Sequence, residues 1–164
     1  ETYDKNMPED LIYTGSKKFT DTVDGVELNA GKLVLSPTRT YAPIINKIFS
    51  EIGRDCINGI IHCSGGAQTK VLNFIENLHI IKDSLFDIPP LFEMIQKESQ
   101  TQWREMYQVY NMGHRMEIYV DEKFANHIIS ISKSFNVDAK VIGKVEKNDT
   151  KKLSILTKEG EFIY

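Results

Sequence analysis

The sequence predicts an α+β domain in which helices pack on a mixed β-sheet. Segments with strand-like apolar patterns alternate with helical ones from residue 33 onward, and such alternation is typical of a sheet covered by helices. The last two predicted strands, at 139–145 and 153–156, are separated only by a short polar turn, which joins antiparallel neighbours. Part of the sheet is therefore expected to be antiparallel, so α+β or mixed α/β is favoured over a doubly wound parallel fold.

The predicted elements follow from hydrophobic periodicity and from Gly and Pro residues that end each pattern. They are strands at 33–36, 57–63, 78–81, 112–120, 139–145 and 153–156, and helices at 41–52, 67–76, 91–97, 103–110 and 124–135. Thr40 is the expected N-cap of the first helix, with Pro43 in its first turn.

The segment from Met112 to Val120 alternates strictly, as a half-buried strand does. One face carries Met112, His114, Met116, Ile118 and Val120, and the other carries Gly113, Arg115, Glu117 and Tyr119. The strand is therefore expected to bury one face and to leave the other in contact with water.

Composition indicates a soluble globular protein, since the 164 residues are 41% hydrophobic and 26% charged. A chain of this length buries a core without disulfide or metal, so Cys56 and Cys63 are interpreted as small buried residues. A net charge of −3 with mixed signs excludes a basic stripe for nucleic acid. The longest apolar run is too short to span a bilayer. We expect one cytoplasmic domain without a membrane partner.

The amino-terminal part of the sequence differs from the rest. It opens at Glu1 without an initiator Met and is rich in Lys, Asp, Thr and Gly up to residue 31. We expect residues 1–31 to be an extended connector from a missing domain and residues 32–164 to be the folded domain.

A glycine pair marks the first candidate site. His62, Ser64, Gly65 and Gly66 lie between a predicted strand and a predicted helix, where backbone N–H groups can receive an anion. Turn geometry alone also explains a Gly pair at this position, and more often does. His62 lies at the end of the strand. Its side chain either faces a cleft or belongs to a core or boundary histidine whose hydrogen bonds are satisfied.

A second candidate loop contains Thr38, Arg39 and Thr40, again between a predicted strand and a helix. Two hydroxyls and a guanidinium could bind phosphate through charge-assisted hydrogen bonds. A capped helix with a solvated Arg explains the same residues. His79, His114 and His127 lack metal-ligand spacing, so we expect no metal site within the chain.

Five ordered motifs between residues 33 and 147 resemble those of the aminoimidazole ribonucleotide synthetases, also called phosphoribosylformylglycinamidine cyclo-ligases. They are SPTRTY at 36–41, IHCSGGA at 61–67, PPLF at 89–92, EMYQVYNMGHRM at 105–116 and VIGKV at 141–145. The chain departs from the family where Pro37 to Thr40 replace His-Ser-Asn-Gly. Ala67 stands at the third Gly of the glycine-rich loop, and Arg115 stands where Gly is common.

The resemblance implies the fold of the family's carboxyl-terminal domain and a role in purine biosynthesis. Family members use ATP and magnesium to close the imidazole ring of formylglycinamidine ribonucleotide. The resemblance places ATP and magnesium mostly on an amino-terminal domain and implies a homodimer. It also implies that three loops face the substrate cleft, and their candidate residues are Thr38, Arg39, Thr40, His62, Ser64, Gly65, Gly66, Asn111 and Gly113. No catalytic residue is assigned, and the chain alone is expected to be inactive.

Two alternatives remain open at this point. A selenophosphate synthetase, a thiamine-phosphate kinase or a hydrogenase-maturation protein would share the domain, although the NMG motif after EMY favours the purine enzyme. A non-catalytic binding or interaction module of the same fold is the other alternative.

Overall fold

The computed structural model of the protein describes residue 6, residues 15–37 and residues 39–164. The chain divides into two compact units, one formed by Glu1–Pro37 with Pro89–Thr101 and one formed by Thr38–Ile88 with Gln102–Tyr164. None of the helices in the described ranges is long and apolar enough to cross a membrane.

Five α-helices and six strands make up the described ranges. The helices are α1 (Ala30–Val34), α2 (Ala42–Ile52), α3 (Pro90–Ser99), α4 (Trp103–Val109) and α5 (Glu122–Ser134). The strands are β1 (Ile57–His62), β2 (Leu78–Lys82), β3 (Met116–Val120), β4 (Gly143–Lys147), β5 (Lys152–Thr157) and β6 (Gly160–Ile163), and 3-10 turns cover Arg54–Cys56 and Ala67–Asn73.

The first unit contains α1 and α3. Asn29 caps α1, since its side-chain oxygen accepts a hydrogen bond from the Lys32 amide at 2.9 Å. Near α3, Ser16 donates from both its amide and its hydroxyl to the Glu98 carboxylate, each at 2.6 Å. The predicted strand at 33–36 is wrong, because this cap starts a helix whose last turn includes the same apolar residues.

The second unit contains two sheets. β1 and β3 pair antiparallel, and α2 and α5 cover one face of the pair around a core of Ile44, Ile48, Ile128 and Ile131. The larger sheet has the order β4-β2-β5-β6. β2 and β5 are parallel while the other neighbours are antiparallel. The prediction of an α+β fold with a mixed sheet is confirmed.

Four further elements differ from the sequence prediction. The strand expected at 112–120 begins only at Met116, because the chain turns at residues 112 and 113. The helix expected at 67–76 is a 3-10 turn that ends at Asn73, strand pairing near residue 139 begins only at Gly143, and β6 was not predicted. Two of the four residues at 160–163, Gly160 and Glu161, are weak strand formers. Local propensity therefore does not predict a strand there. Pairing with β5 supplies what the local sequence lacks.

Both cysteines are free thiols, and Cys63 is buried as expected while Cys56 is half-buried. The prediction for β3 is wrong on one face. Ile118 and Val120 pack against the helices as expected, but Glu117 on the opposite face is only 4% exposed. The alternation describes the polarity of the side chains, whereas both faces of the strand are covered.

Candidate functional site

The antiparallel pairing of β1 and β3 brings two motif loops together. The carboxyl end of β1 lies beside the amino end of β3, where His62 pairs with Met116. The Cys63 amide continues this ladder by donating to the Arg115 carbonyl at 2.9 Å. The glycine loop, residues 64–67, therefore lies next to the asparagine loop, residues 111–114.

The glycine loop presents unused donors. Gly66 and Ala67 adopt positive φ angles of 81° and 40°, and the Ala67 amide donates back to the Ser64 carbonyl at 2.8 Å. Within the described part of the chain, the Gly65 and Gly66 amides donate to no acceptor. A Cβ at Gly65 would meet no atom within 4 Å. The loop can thus receive an anion at close range.

Lys70 adds positive charge to the glycine loop. Its ammonium donates to the His62 carbonyl at 3.0 Å and to the Ser64 hydroxyl at 2.9 Å. The positive charge is held beside the two unused amides, so an anion bound there would meet donors and a cation together.

The asparagine loop turns tightly into β3. The Asn111 side-chain oxygen accepts from the Gly113 amide at 2.9 Å, and its carbonyl accepts from the His114 amide at 2.9 Å. Met112 and Gly113 have φ angles of 51° and 94°. Because the Met112 side chain is buried, the turn is anchored to the core from its middle residue.

A cleft of about 660 Å³ opens beside the glycine loop. Gly65, Gly66 and Thr69 line one side. The other side is formed by Gln102 and by residues of α4, namely Arg104, Glu105, Gln108 and Val109. Neither Arg104 nor Glu105 was among the predicted site residues, although Glu105 begins the EMY motif.

Arg104 is held in place by the end of the chain. Its guanidinium lies 4.3 Å from the centre of the Tyr164 ring and donates to the Ile163 carbonyl at 2.5 Å. The Tyr164 hydroxyl in turn donates to the Arg104 carbonyl at 2.5 Å. The guanidinium of this cleft-lining residue is therefore fixed by the Tyr164 ring and the Ile163 carbonyl.

A buried polar cluster lies behind the two loops. The Lys82 ammonium donates to the Glu117 carboxylate at 2.5 Å and to both the carbonyl and the side-chain oxygen of Gln68 at 2.9 Å each. The Tyr119 hydroxyl donates to the second Glu117 oxygen at 2.6 Å. Every partner is therefore satisfied, as a buried ion pair requires.

The cluster keeps its neutral members protonated. Burial, followed by the charge of Glu117, raises the pKa of the Tyr119 hydroxyl. The same two causes raise the pKa of the Cys63 thiol to about 12, so this thiol is protonated at neutral pH. Sequence analysis missed the cluster because Lys82 and Glu117 are 35 positions apart on two different sheets.

The predicted site residues fall into two groups. His62 is exposed at the end of β1, and Asn111 is half-buried in the adjacent loop. Arg39 lies away from these two loops. Its guanidinium donates to the carbonyl of Asn136, just after α5, at 3.2 Å. Thr40 is exposed, and the expected cap is wrong because Tyr41 occupies that position without a capping side-chain bond. Thr38 lies outside the described residues.

Comparison with known proteins identifies the family. Residues 14–155 match the model of the AIR synthase related protein, C-terminal domain. The chain belongs to this family.

Curated relatives of this AIR synthase related domain include proteins named phosphoribosylformylglycinamidine cyclo-ligase. The relative from Syntrophus aciditrophicus is 32% identical over 145 residues, which are 82% of this chain and 39% of the relative. The relative from Methanocaldococcus jannaschii is 31% identical over 123 residues, which are 73% of this chain and 35% of the relative. The chain thus spans about two fifths of the length of the relatives it matches.

Ala67 is a strained position in this AIR synthase related domain. Its φ of 40° is unfavourable for a residue with a Cβ. We expect Ala67→Gly to raise the free energy of unfolding by about 0.5 kcal/mol, because relief of strain exceeds the entropy cost of glycine. Ala125→Gly within α5 is the control and should lower it by about 1 kcal/mol. Urea denaturation measures both, and a loss of stability in Ala67→Gly would contradict the strain.

His114 makes the stability of the AIR synthase related domain pH-dependent. Its Nε2 accepts a hydrogen bond from the Phe86 amide at 2.9 Å, so the neutral ring is required. Burial first, and then the charges of Lys82 and Lys140, lower the pKa of His114 from 6.5 to about 4. Stability is fully present above pH 6.5 and is lost as the pH falls toward 4, because the unfolded chain binds the proton more readily.

When the pH is lowered from 7.5 to 5, protonation of His114 in the unfolded chain should lower the free energy of unfolding by about 2 kcal/mol. Urea denaturation at the two pH values measures the loss. His114→Gln keeps an acceptor oxygen without a titrating ring, so the variant should show a loss smaller by that amount. An equal pH dependence in both proteins would contradict the assignment.

Proposed function

We propose that this chain forms the substrate-phosphate site of an ATP-dependent phosphoribosylformylglycinamidine cyclo-ligase, an enzyme of purine biosynthesis. One observation carries the proposal. The two loops that hold the family motifs lie side by side, with the free Gly65 and Gly66 amides next to the Lys70 ammonium. Two amides and an ammonium match the oxygens of a phosphate monoester.

The chemistry assigned to this chain is binding and orientation. In the proposed reaction the formyl amide oxygen of formylglycinamidine ribonucleotide takes the terminal phosphoryl group of ATP, and ADP leaves. A substrate nitrogen then attacks the formyl carbon, closes the ring and displaces the activated oxygen as inorganic phosphate. The glycine loop would fix the phosphate end of the substrate. The cleft wall with Arg104 and Glu105 would face the remainder. Fixing both ends removes orientational freedom before the ring closes.

Among the described residues, no three His, Cys, Asp or Glu side chains come close enough together to hold a metal. We therefore assign magnesium and most ATP contacts to the part of the relatives that this chain does not cover. On this proposal the chain works with an amino-terminal domain in a cytoplasmic homodimer.

Gly65→Val tests the phosphate site. The added side chain enters open space and should leave the fold intact while it blocks approach to the two amides. We expect the chain to bind formylglycinamidine ribonucleotide, and Gly65→Val to weaken binding by about tenfold or more. Titration calorimetry measures the affinity, with thermal unfolding as the check on folding.

Two controls accompany this titration. The substrate analogue without its phosphate should bind the unmodified chain as weakly as the full substrate binds Gly65→Val. Lys70→Met should weaken binding, whereas Lys133→Met, an exposed lysine at the end of α5, should not. Equal affinity for the phosphorylated and unphosphorylated compounds would contradict the proposed site.

A further inference from the structure

Gln68 connects the two loops through a side chain that is 0% exposed. It follows the glycine loop directly, in the 3-10 turn Ala67–Asn73. Its amide nitrogen donates to the Asn111 carbonyl at 2.7 Å. Its side-chain oxygen and its own carbonyl both accept from the Lys82 ammonium at 2.9 Å. One side chain thus touches the asparagine loop on one side and a buried cation on the other.

Gln68 contacts the backbone carbonyl of Asn111, the first residue of the asparagine loop. The same carbonyl accepts from the His114 amide at 2.9 Å, so its two lone pairs are used by the loop itself and by Gln68. The Lys82 ammonium is fixed by Glu117 at 2.5 Å and leaves Gln68 no freedom to turn. The orientation of the Gln68 amide is therefore set from the buried side, and its donor points only toward Asn111.

We propose that Gln68 is a positioning residue that holds the asparagine loop at a fixed distance from the glycine loop, and that ligand affinity depends on this distance. The affinity part rests on the proposed function, because it assumes that a phosphate compound binds at the glycine loop. The coupling of the loops does not depend on that assumption. Gln68 is not among the residues that the family motifs indicate.

Two substitutions separate the two contacts of Gln68. Gln68→Met keeps the volume and removes both side-chain contacts, while the backbone carbonyl still accepts from Lys82. Gln68→Glu keeps an acceptor for Lys82 but replaces the donor to Asn111 by an ionised oxygen. The control is Ser132→Ala, which removes a hydrogen bond of 2.9 Å to the Val137 carbonyl in the helical layer and touches neither loop.

Amide hydrogen exchange reads the coupling without any ligand. In both Gln68 variants the Gly113 and His114 amides should exchange about tenfold faster, while amides in α2 and α5 keep their rates. Ser132→Ala should leave the Gly113 and His114 amides unchanged. Uniform acceleration across the domain, or unchanged exchange at Gly113 and His114, would overturn the proposal. The proposal would also be overturned if the Gly113 and His114 amides exchanged as slowly in Gln68→Glu as in the unmodified chain, since that variant cannot donate to Asn111.

Calorimetry with formylglycinamidine ribonucleotide supplies the second readout. Both Gln68 variants should bind about tenfold more weakly than the unmodified chain, although neither changes a group that contacts the ligand. If the unmodified chain does not bind, the proposed function fails while the exchange experiment still decides the coupling. Local acceleration without weaker binding, in a chain that does bind, would overturn the link between loop distance and affinity.

Discussion

Lys82→Met is expected to lower the free energy of unfolding by about 3–5 kcal/mol, because it leaves the Glu117 carboxylate buried without its cation. Lys82 and Glu117 are 1% and 4% exposed, so water cannot replace the lost partner. The Tyr119 hydroxyl would still donate to the carboxylate, but it carries no charge to balance it. Urea denaturation at pH 7 measures the change.

Lys144→Met is the matched control, since Lys144 also forms an ion pair, with Glu146 at 2.6 Å, but on the exposed surface. It should leave the free energy of unfolding almost unchanged. The double variant Lys82→Met, Glu117→Met should be more stable than Lys82→Met alone, because no charge remains buried. Equal effects of Lys82→Met and Lys144→Met would contradict a closed ion pair.

Gly143→Ala is expected to cost about 3 kcal/mol or more, because the new methyl group has no space. A Cβ at Gly143 would lie 1.8 Å from the Ile81 carbonyl oxygen and 2.9 Å from the Lys82 Cα. β4 would have to move away from β2. The Ile142 carbonyl would then lose the two hydrogen bonds that it accepts from the amides of Asp83 and Ser84, at 3.1 Å each.

Gly59→Ala provides the control within β1. There the added Cβ would meet the Tyr119 ring at 3.8 Å, an ordinary contact, so the loss should stay below about 1 kcal/mol. Both variants are compared by urea denaturation. If Gly143→Ala loses no more stability than Gly59→Ala, the close approach of β4 to β2 is not maintained in solution.

Sequence reasoning succeeded where side-chain pattern and local chemistry agree. The helices α2, α3, α4 and α5 were predicted because their apolar residues recur at helical spacing, and β1 and β2 because short apolar runs end at Gly or Pro. The mixed sheet was expected from the short turn between β4 and β5, but these two strands are not neighbours, because β2 lies between them. The antiparallel pairs are β4 with β2 and β5 with β6. The strand at 33–36 failed because three apolar residues, Leu33 to Leu35, fit a strand as well as a helix, and the Asn29 cap decided the outcome.

The candidate site was predicted only in part. The glycine loop and the asparagine loop were found because their motifs are contiguous in sequence, and pairing of β1 with β3 brings them together. The buried cluster was missed because Lys82, Gln68 and Glu117 belong to three separate segments and each has a polar residue's ordinary sequence context. Their burial results from tertiary packing between these segments. Periodicity alone assigns Glu117 to an exposed face.

The central claim is that the Gly65 and Gly66 amides receive the substrate phosphate beside the asparagine loop. Titration of the ¹⁵N-labelled chain with formylglycinamidine ribonucleotide, followed through its amide resonances, tests it most directly. We expect downfield shifts of the Gly65 and Gly66 amide protons as they begin to donate to phosphate, with smaller changes at Gly113 and His114. Saturable binding that shifts other resonances while those of Gly65 and Gly66 stay in place would contradict the account.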